Sequence, residues 1–101
     1  MAKVYDLDSM VQPIVFKING EVVNVNPPSL SIVKEFSHMS KLTDEDEILN
    51  KQTELISKVL SNNTSNKTFT FQDVDRMSQQ MVTAILTIIT SEVQEAENNP
   101  N

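Results

Sequence analysis

The amino-acid sequence predicts a small α+β domain in which an N-terminal β-hairpin is followed by three α-helices. The chain has 101 residues, which is enough for a single domain. An Asn-Gly pair at residues 19–20 separates two short segments of alternating hydrophobicity, and three later segments repeat apolar residues at helical spacing. Hydrophobic residues make up 39% of the chain, so we expect one modest core and a stability that self-association can raise.

The hairpin is predicted over residues 14–25. Alternate residues of its two strands are apolar and are expected to share one face: Ile14, Phe16, Ile18, Val23 and Val25. Asn19 and Gly20 suit a two-residue type I′ turn, because both of its central positions have positive φ. Residues 1–12 are expected to form a flexible N-terminal arm or an added edge segment.

Two helices are predicted next, over residues of about 30–41 and 44–61. Pro27 and Pro28 end the second strand, and Ser29 can cap the first helix. Thr43 and the acidic residues after it suit the N-terminus of the second helix, because negative side chains are favourable there.

The third helix is predicted as one continuous segment over residues 71–95, about 37 Å long at 1.5 Å per residue. Thr70 and Asp73 have the spacing of a capping box, and Phe69 is placed to pack against Val74. The single domain therefore covers residues 13–95. Residues 96–101 are expected to form a disordered acidic and polar tail.

Composition argues against an enzyme. The chain has no Cys, one His and one Gly, which excludes disulfides, thiolate metal sites and glycine-rich phosphate loops. The acidic segment 44–47 does not fit a calcium loop, because Ile48 and Leu49 occupy positions that require an oxygen ligand and glycine. We expect no catalytic residue, cofactor or metal.

The net charge of -6 argues against nucleic acid as the main partner. Residues 1–42 carry four basic and four acidic residues, so the whole net charge lies in residues 43–101. A helix-turn-helix regulator is disfavoured because the loop before the third helix is long and this helix has few basic residues. No segment has the pattern of a signal peptide or a membrane span, so we expect a cytoplasmic protein that does not contact membranes.

The third helix has apolar residues on more than one face. Two interpretations stay open at this point: the helix is the central core helix, or part of its surface is an exposed patch for a partner or a second copy. The candidate residues for partner binding or self-association lie on the first and third helices: Ile32, Phe36, Val82, Ile85, Leu86, Ile89 and Val93.

The order of these elements resembles the tail assembly chaperones of long-tailed bacteriophages and prophages of Gram-positive bacteria. The resemblance rests on the hairpin FKINGEVVNV at residues 16–25, the segment NPPSL at residues 26–30 and the acidic helical remainder. It covers about residues 14–95. The family has no set of fixed residues that can be transferred to this chain.

The resemblance implies a non-enzymatic chaperone in the host cytoplasm. Such a protein binds the tape measure protein and keeps it soluble while the tail tube protein assembles around it, and it forms homo-oligomers. Two alternatives remain open: another oligomeric interaction module, and an acidic inhibitor that mimics DNA. Binding by a DNA mimic should weaken steeply with salt, whereas binding through apolar surfaces should change little.

Overall fold

A computed structural model of the chain describes the backbone of residues 2–98 and the side chains of residues 2–8 and 11–91. The elements in this part of the chain are, in order, α1 (Leu7–Met10), β1 (Ile14–Ile18), β2 (Glu21–Val25), α2 (Leu30–Met39), α3 (Glu45–Ser61), α4 (Phe71–Asp75) and α5 (Gln79–Asn98). The α+β class, with an N-terminal antiparallel hairpin followed by helices, is confirmed.

The hairpin has the register and the turn that its sequence predicts. Ile14 pairs with Val25 and Ile18 pairs with Glu21. Asn19 and Gly20 have φ values of 53° and 83°, as a type I′ turn requires. All five apolar residues predicted to share one face are buried.

The loop after α3 extends the sheet on the far side of β2. The Thr64 N–H donates to the Asn24 carbonyl at 3.0 Å, and the Asn26 N–H donates to the Asn62 carbonyl at 2.8 Å. Asn63 forms a bridge with Val25 between them. Strand β2 therefore has a neighbour on both sides, and β1 is at the edge of the sheet.

The core lies between the inner face of the hairpin and the helices. Its largest fully buried side chains come from β2, α3, α4 and α5: Val23, Val25, Leu55, Ile56, Leu60, Val74 and Ile89. Helix α2 contributes no fully buried residue and packs on the core through the half-buried Ile32 and Phe36. The helix is amphipathic but covers the core only partly.

The prediction of one helix over residues 71–95 was wrong, because the structure has two helices there. Helix α4 ends at Asp75, and Arg76 closes it by donating its backbone N–H to the Gln72 carbonyl. Ser78 then begins α5, since its Oγ accepts a hydrogen bond from the Met81 N–H at 3.1 Å. A serine can cap a new helix in this way without any Gly or Pro in the sequence to mark the break.

The C-terminal end of the chain also differs from expectation. Helix α5 continues to Asn98, so residues 96–98 are helical and not a disordered tail; Ala96 and Glu97 are good helix formers. Residues 99–101 lie outside the described residues. The arm contains the single helical turn α1, and its flexibility stays a prediction.

Candidate interaction surfaces

Two of the candidate partner-binding residues are core residues. Ile85 is 3% exposed and Ile89 is 0% exposed, and both belong to the main apolar cluster. A partner cannot reach these side chains while the domain is folded, so their assignment to an exposed patch was wrong. The physical reason is that α5 is oriented with Ile85 and Ile89 towards the core. For this stripe, the interpretation of the helix as a core helix is therefore correct.

The other candidates lie at the margin of the core. Ile32 and Phe36 on α2, and Val82 and Leu86 on α5, are half-buried against the core cluster. Their exposed parts are accessible to a partner, and their role in binding stays a prediction. Val93 lies in α5, but its side chain is outside the described residues.

The exposed side of α5 is a surface that the sequence reasoning missed. We call it the uncharged α5 face, and it consists of Gln80, Thr83, Ala84, Thr87, Ile88 and Ser91, which are all exposed. Ile88 is its largest apolar side chain, at 41% exposed. The signal in the sequence was the run 77–91, which contains no Asp, Glu, Lys or Arg. An exposed helix of a -6 chain would ordinarily carry charges on this side.

Threonine hydroxyls on this helix bond to its own backbone. Thr87 Oγ1 donates to the Thr83 carbonyl at 2.8 Å, and Thr90 Oγ1 donates to the Leu86 carbonyl. The hydroxyl proton of Thr87 is therefore satisfied within the helix, and a partner that contacts this residue has to provide no acceptor for it.

A second apolar surface lies at the opposite end of the sequence. Val15 and Val22, on the outer face of the hairpin, are 59% and 57% exposed. The arm adds four further apolar side chains that are each more than half exposed: Val4, Tyr5, Leu7 and Val11. This surface is rich in side chains that a second protein chain could cover.

An ion-pair network joins α2 to α3. Glu35 Oε1 lies 3.0 Å from Lys51 Nζ and 3.5 Å from Lys58 Nζ, and Glu54 Oε1 lies 3.2 Å from Lys58 Nζ. The hydrogen bond from Lys51 lowers the pKa of the Glu35 carboxyl, and the hydrogen bond to Glu54 raises the pKa of the Lys58 ammonium. Both shifts favour the charged forms, so Glu35 and Lys58 stay ionised near neutral pH and the network links α2 to α3.

An open cleft lies between the hairpin turn and the α4–α5 junction, with Asn19, Glu21, Lys67, Arg76 and Met81 in its lining. Two of its charged groups form an ion pair, since Lys67 Nζ is 2.6 Å from Glu21 Oε2. The lining as a whole has two acidic and two basic side chains and therefore no net charge.

Asp73 also lines this cleft, where it closes the capping box of α4. Its Oδ2 accepts from the Thr70 N–H at 2.9 Å, and this bond lowers the pKa of the Asp73 carboxyl.

Within the described residues, no three His, Cys, Asp or Glu side chains are grouped to hold a metal ion. None of the helices among residues 2–98 is both long and apolar enough to cross a bilayer.

The chain exposes more surface than a compact protein of its size. Its accessible surface is 7477 Å², whereas a compact monomer of this mass exposes about 5,800 Å². Its radius of gyration is 15.1 Å, against about 13 Å for a compact domain. The arm contributes to this excess, because its residues 2–8 and 11–12 are all exposed.

Comparison of the chain with protein-family models, curated proteins and solved structures found no match in any of the three.

Proposed function

We propose that this chain is a non-enzymatic tail assembly chaperone, which binds the tape measure protein and keeps it soluble while the tail tube assembles. The sequence resemblance over residues 14–95 suggests the class of protein. The observation that carries the proposal is the uncharged α5 face, an exposed helical surface with no charge in an acidic chain. The tape measure protein is the main partner, and the tail tube protein is a second one.

The uncharged α5 face fits an apolar helix of the client. Thr83, Ala84 and Thr87 are small, so a helix that packs across them can approach closely, and Ile88 can insert between the side chains of that helix. The half-buried Val82 and Leu86 border this face and extend its apolar area. Helix-on-helix contact of this kind protects the client segment from aggregation.

The charge distribution supports the same role. The net charge of -6 lies in residues 43–101, and the acids of segment 44–47 are all exposed at the N-terminus of α3. Repulsion between these surfaces keeps complexes apart in solution, while the uncharged α5 face holds the client. The half-buried Ile32 and Phe36 of α2 are further candidate contacts.

The test is client retention by two matched variants. We expect Ile88→Asp to reduce the amount of tape measure fragment that stays in solution when the two proteins are made together. Leu49→Asp adds the same charge at an exposed leucine of α3 (51% exposed) and should retain the client. Thermal unfolding followed by circular dichroism shows whether each variant is folded. Equal retention by Ile88→Asp and the unchanged protein would contradict the proposal.

The acidic segment 44–47 favours a second candidate function, inhibition of a basic target by charge mimicry. Asp44 makes no side-chain capping bond, so its carboxylate is available to a partner. The salt dependence of binding separates the two functions. Binding that falls steeply between 50 and 300 mM salt indicates the acidic surface, whereas binding that is nearly independent of salt indicates the apolar one.

A further inference from the structure

Strand β1 has an open edge. Residues of an antiparallel strand direct their backbone groups alternately to one side and the other. Ile18 and Glu21 flank a two-residue turn and so form a hydrogen-bonded pair, which makes Ile14, Phe16 and Ile18 the residues that bond to β2. The N–H and C=O groups of Val15 and Lys17 therefore point away from β2. In the described part of the chain the sheet has no third strand beside β1. These groups are available for pairing with another strand.

We propose that a second copy of the chain docks on this edge, with β1 antiparallel to β1 of the other copy, so that two hairpins form one four-stranded sheet. The inference goes beyond the client binding of the proposed function and does not depend on it. Pairing through backbone hydrogen bonds is a general way to complete an open sheet edge.

The sequence of β1 selects one register for this pairing. A twofold axis at Val15 would set Pro13 opposite Lys17 of the other copy, and proline has no N–H to donate. An axis at Lys17 would set two ammonium groups directly opposite each other, which is unfavourable. An axis at Phe16 avoids both problems. It sets Val15 opposite Lys17 of the second copy and forms four backbone hydrogen bonds, two at each such pair.

The same register covers exposed apolar side chains on the outer face of the sheet. Val22 lies opposite Lys17 within each hairpin, so in the joined sheet the Lys17 stem lies between Val22 of its own copy and Val15 of the other. Val15 and Val22 are 59% and 57% exposed in the monomer. A lysine stem can cover them while its ammonium stays in water.

Charge and exposed apolar side chains favour a second copy as the occupant. Residues 1–42 have no net charge, whereas residues 43–101 carry the whole -6, so contact through the hairpins brings neutral regions together. The arm that precedes β1 in the chain carries further exposed apolar side chains, among them Val4, Leu7 and Val11, which a second copy can also cover.

The geometry also limits the assembly to two copies at this edge. The far side of β2 is bonded at Asn24 and Asn26 to the loop at residues 62–64, which blocks this part of the β2 edge to another hairpin. A twofold contact that uses the same strand in both copies is closed. The proposal therefore predicts dimers through β1 and not filaments.

The first part of the experiment is sedimentation of the full-length chain and three variants without any client. Val15→Lys sets an ammonium opposite Lys17 of the other copy at both ends of the interface, and we expect it to raise the dimer dissociation constant about tenfold. The double variant Val15→Lys with Lys17→Glu should restore the dimer, because each such pair then has opposite charges. Leu49→Lys, which adds the same charge on α3, should have no effect.

The second part is amide hydrogen exchange as a function of protein concentration. We expect the Val15 and Lys17 amides to exchange more slowly as the dimer forms, since these N–H groups are bonded only in the dimer. The proposal is overturned if the chain is monomeric at every concentration. It is also overturned if a dimer forms while these amides exchange freely, or if the double variant does not recover. No client is present in either part of the experiment. None of these outcomes therefore bears on the client-retention test of the proposed function.

Discussion

Lys51 Nζ lies 3.0 Å from Glu35 Oε1, and this ion pair connects α2 to α3. Helix α2 has no fully buried residue, so it is held by the half-buried Ile32 and Phe36 and by the charges of this pair. The Glu35 side chain is 29% exposed, which means that water screens the interaction only in part. The attachment of α2 should therefore depend on the protonation of one carboxylate.

We expect the stability that Glu35 contributes to be lost in acid. Its pKa in the folded chain is below the ordinary value of 4.5, chiefly because Lys51 donates a hydrogen bond to the carboxylate. The contribution is therefore present above pH 4.5 and disappears as the pH falls through the folded-state pKa. Urea unfolding of the unchanged protein and Glu35→Gln should differ at pH 7 and converge near pH 2.

Glu47→Gln is the control for this measurement. Glu47 is an exposed carboxylate of α3 that has no ion-pair partner among the described residues. This variant should follow the pH dependence of the unchanged protein more closely than Glu35→Gln does. If the two variants lose the same stability at every pH, the ion pair does not hold α2 to α3.

Adjacent isoleucines of α5 should differ sharply in their contribution to stability. Ile89 is 0% exposed and Ile88 is 41% exposed. Ile89→Ala should lower the free energy of unfolding by about 2–5 kcal/mol, because it removes apolar contacts and leaves a cavity. Ile88→Ala should cost under about 1 kcal/mol. Guanidinium unfolding measures both, and similar losses would contradict the orientation of α5 in the structure.

The hairpin and the capping box could be predicted from the sequence because each depends on neighbouring residues. Asn19 and Gly20 specify the turn by their backbone preferences, and Thr70 and Asp73 satisfy each other within one helical turn. The break before Ser78 was missed, because serine is compatible with both a helix interior and a helix start. Local preference alone does not decide between these two states.

The surfaces were harder to predict than the fold. Apolar residues of α5 form two overlapping stripes, and helical spacing alone does not show which stripe faces the hairpin. Packing of the whole domain buries Ile85 and Ile89 and leaves Ile88 outside. The bonds of Asn24 to the loop at residues 62–65 are equally non-local, so the open edge of β1 was visible only in the structure.

We expect the conformation of the loop after α3 to depend on the side chain of Asn63. Its Oδ1 accepts from the Ser65 and Lys67 N–H groups at 3.0 and 3.1 Å, and its Nδ2 donates to the Leu60 and Lys67 carbonyls at 2.7 and 2.9 Å. Asn63→Ala removes all four bonds and should cost about 2–4 kcal/mol.

Asn63→Asp is the matched variant, because a carboxylate can keep the two accepted bonds but cannot make the two donated ones. Its stability should lie between those of the unchanged protein and Asn63→Ala when measured by urea unfolding at pH 7. Since the loop bonds to Asn24 and Asn26 of the sheet, the amides at residues 26 and 64 should also exchange faster in Asn63→Ala. Unchanged exchange at both positions would show that the loop holds its place without Asn63.

Gly20 should resist replacement because of its backbone conformation and not because of crowding. Its φ is 83°, and a Cβ added there would meet no heavy atom within 4 Å. Gly20→Ala should therefore cost about 1–2 kcal/mol, the strain of a left-handed backbone for an ordinary residue. Gly20→Asn has a larger side chain but tolerates this conformation, so it should be the more stable of the two variants. Thermal unfolding distinguishes the two causes: a lower midpoint for Gly20→Asn than for Gly20→Ala would mean that space, and not φ, limits the residue at this turn.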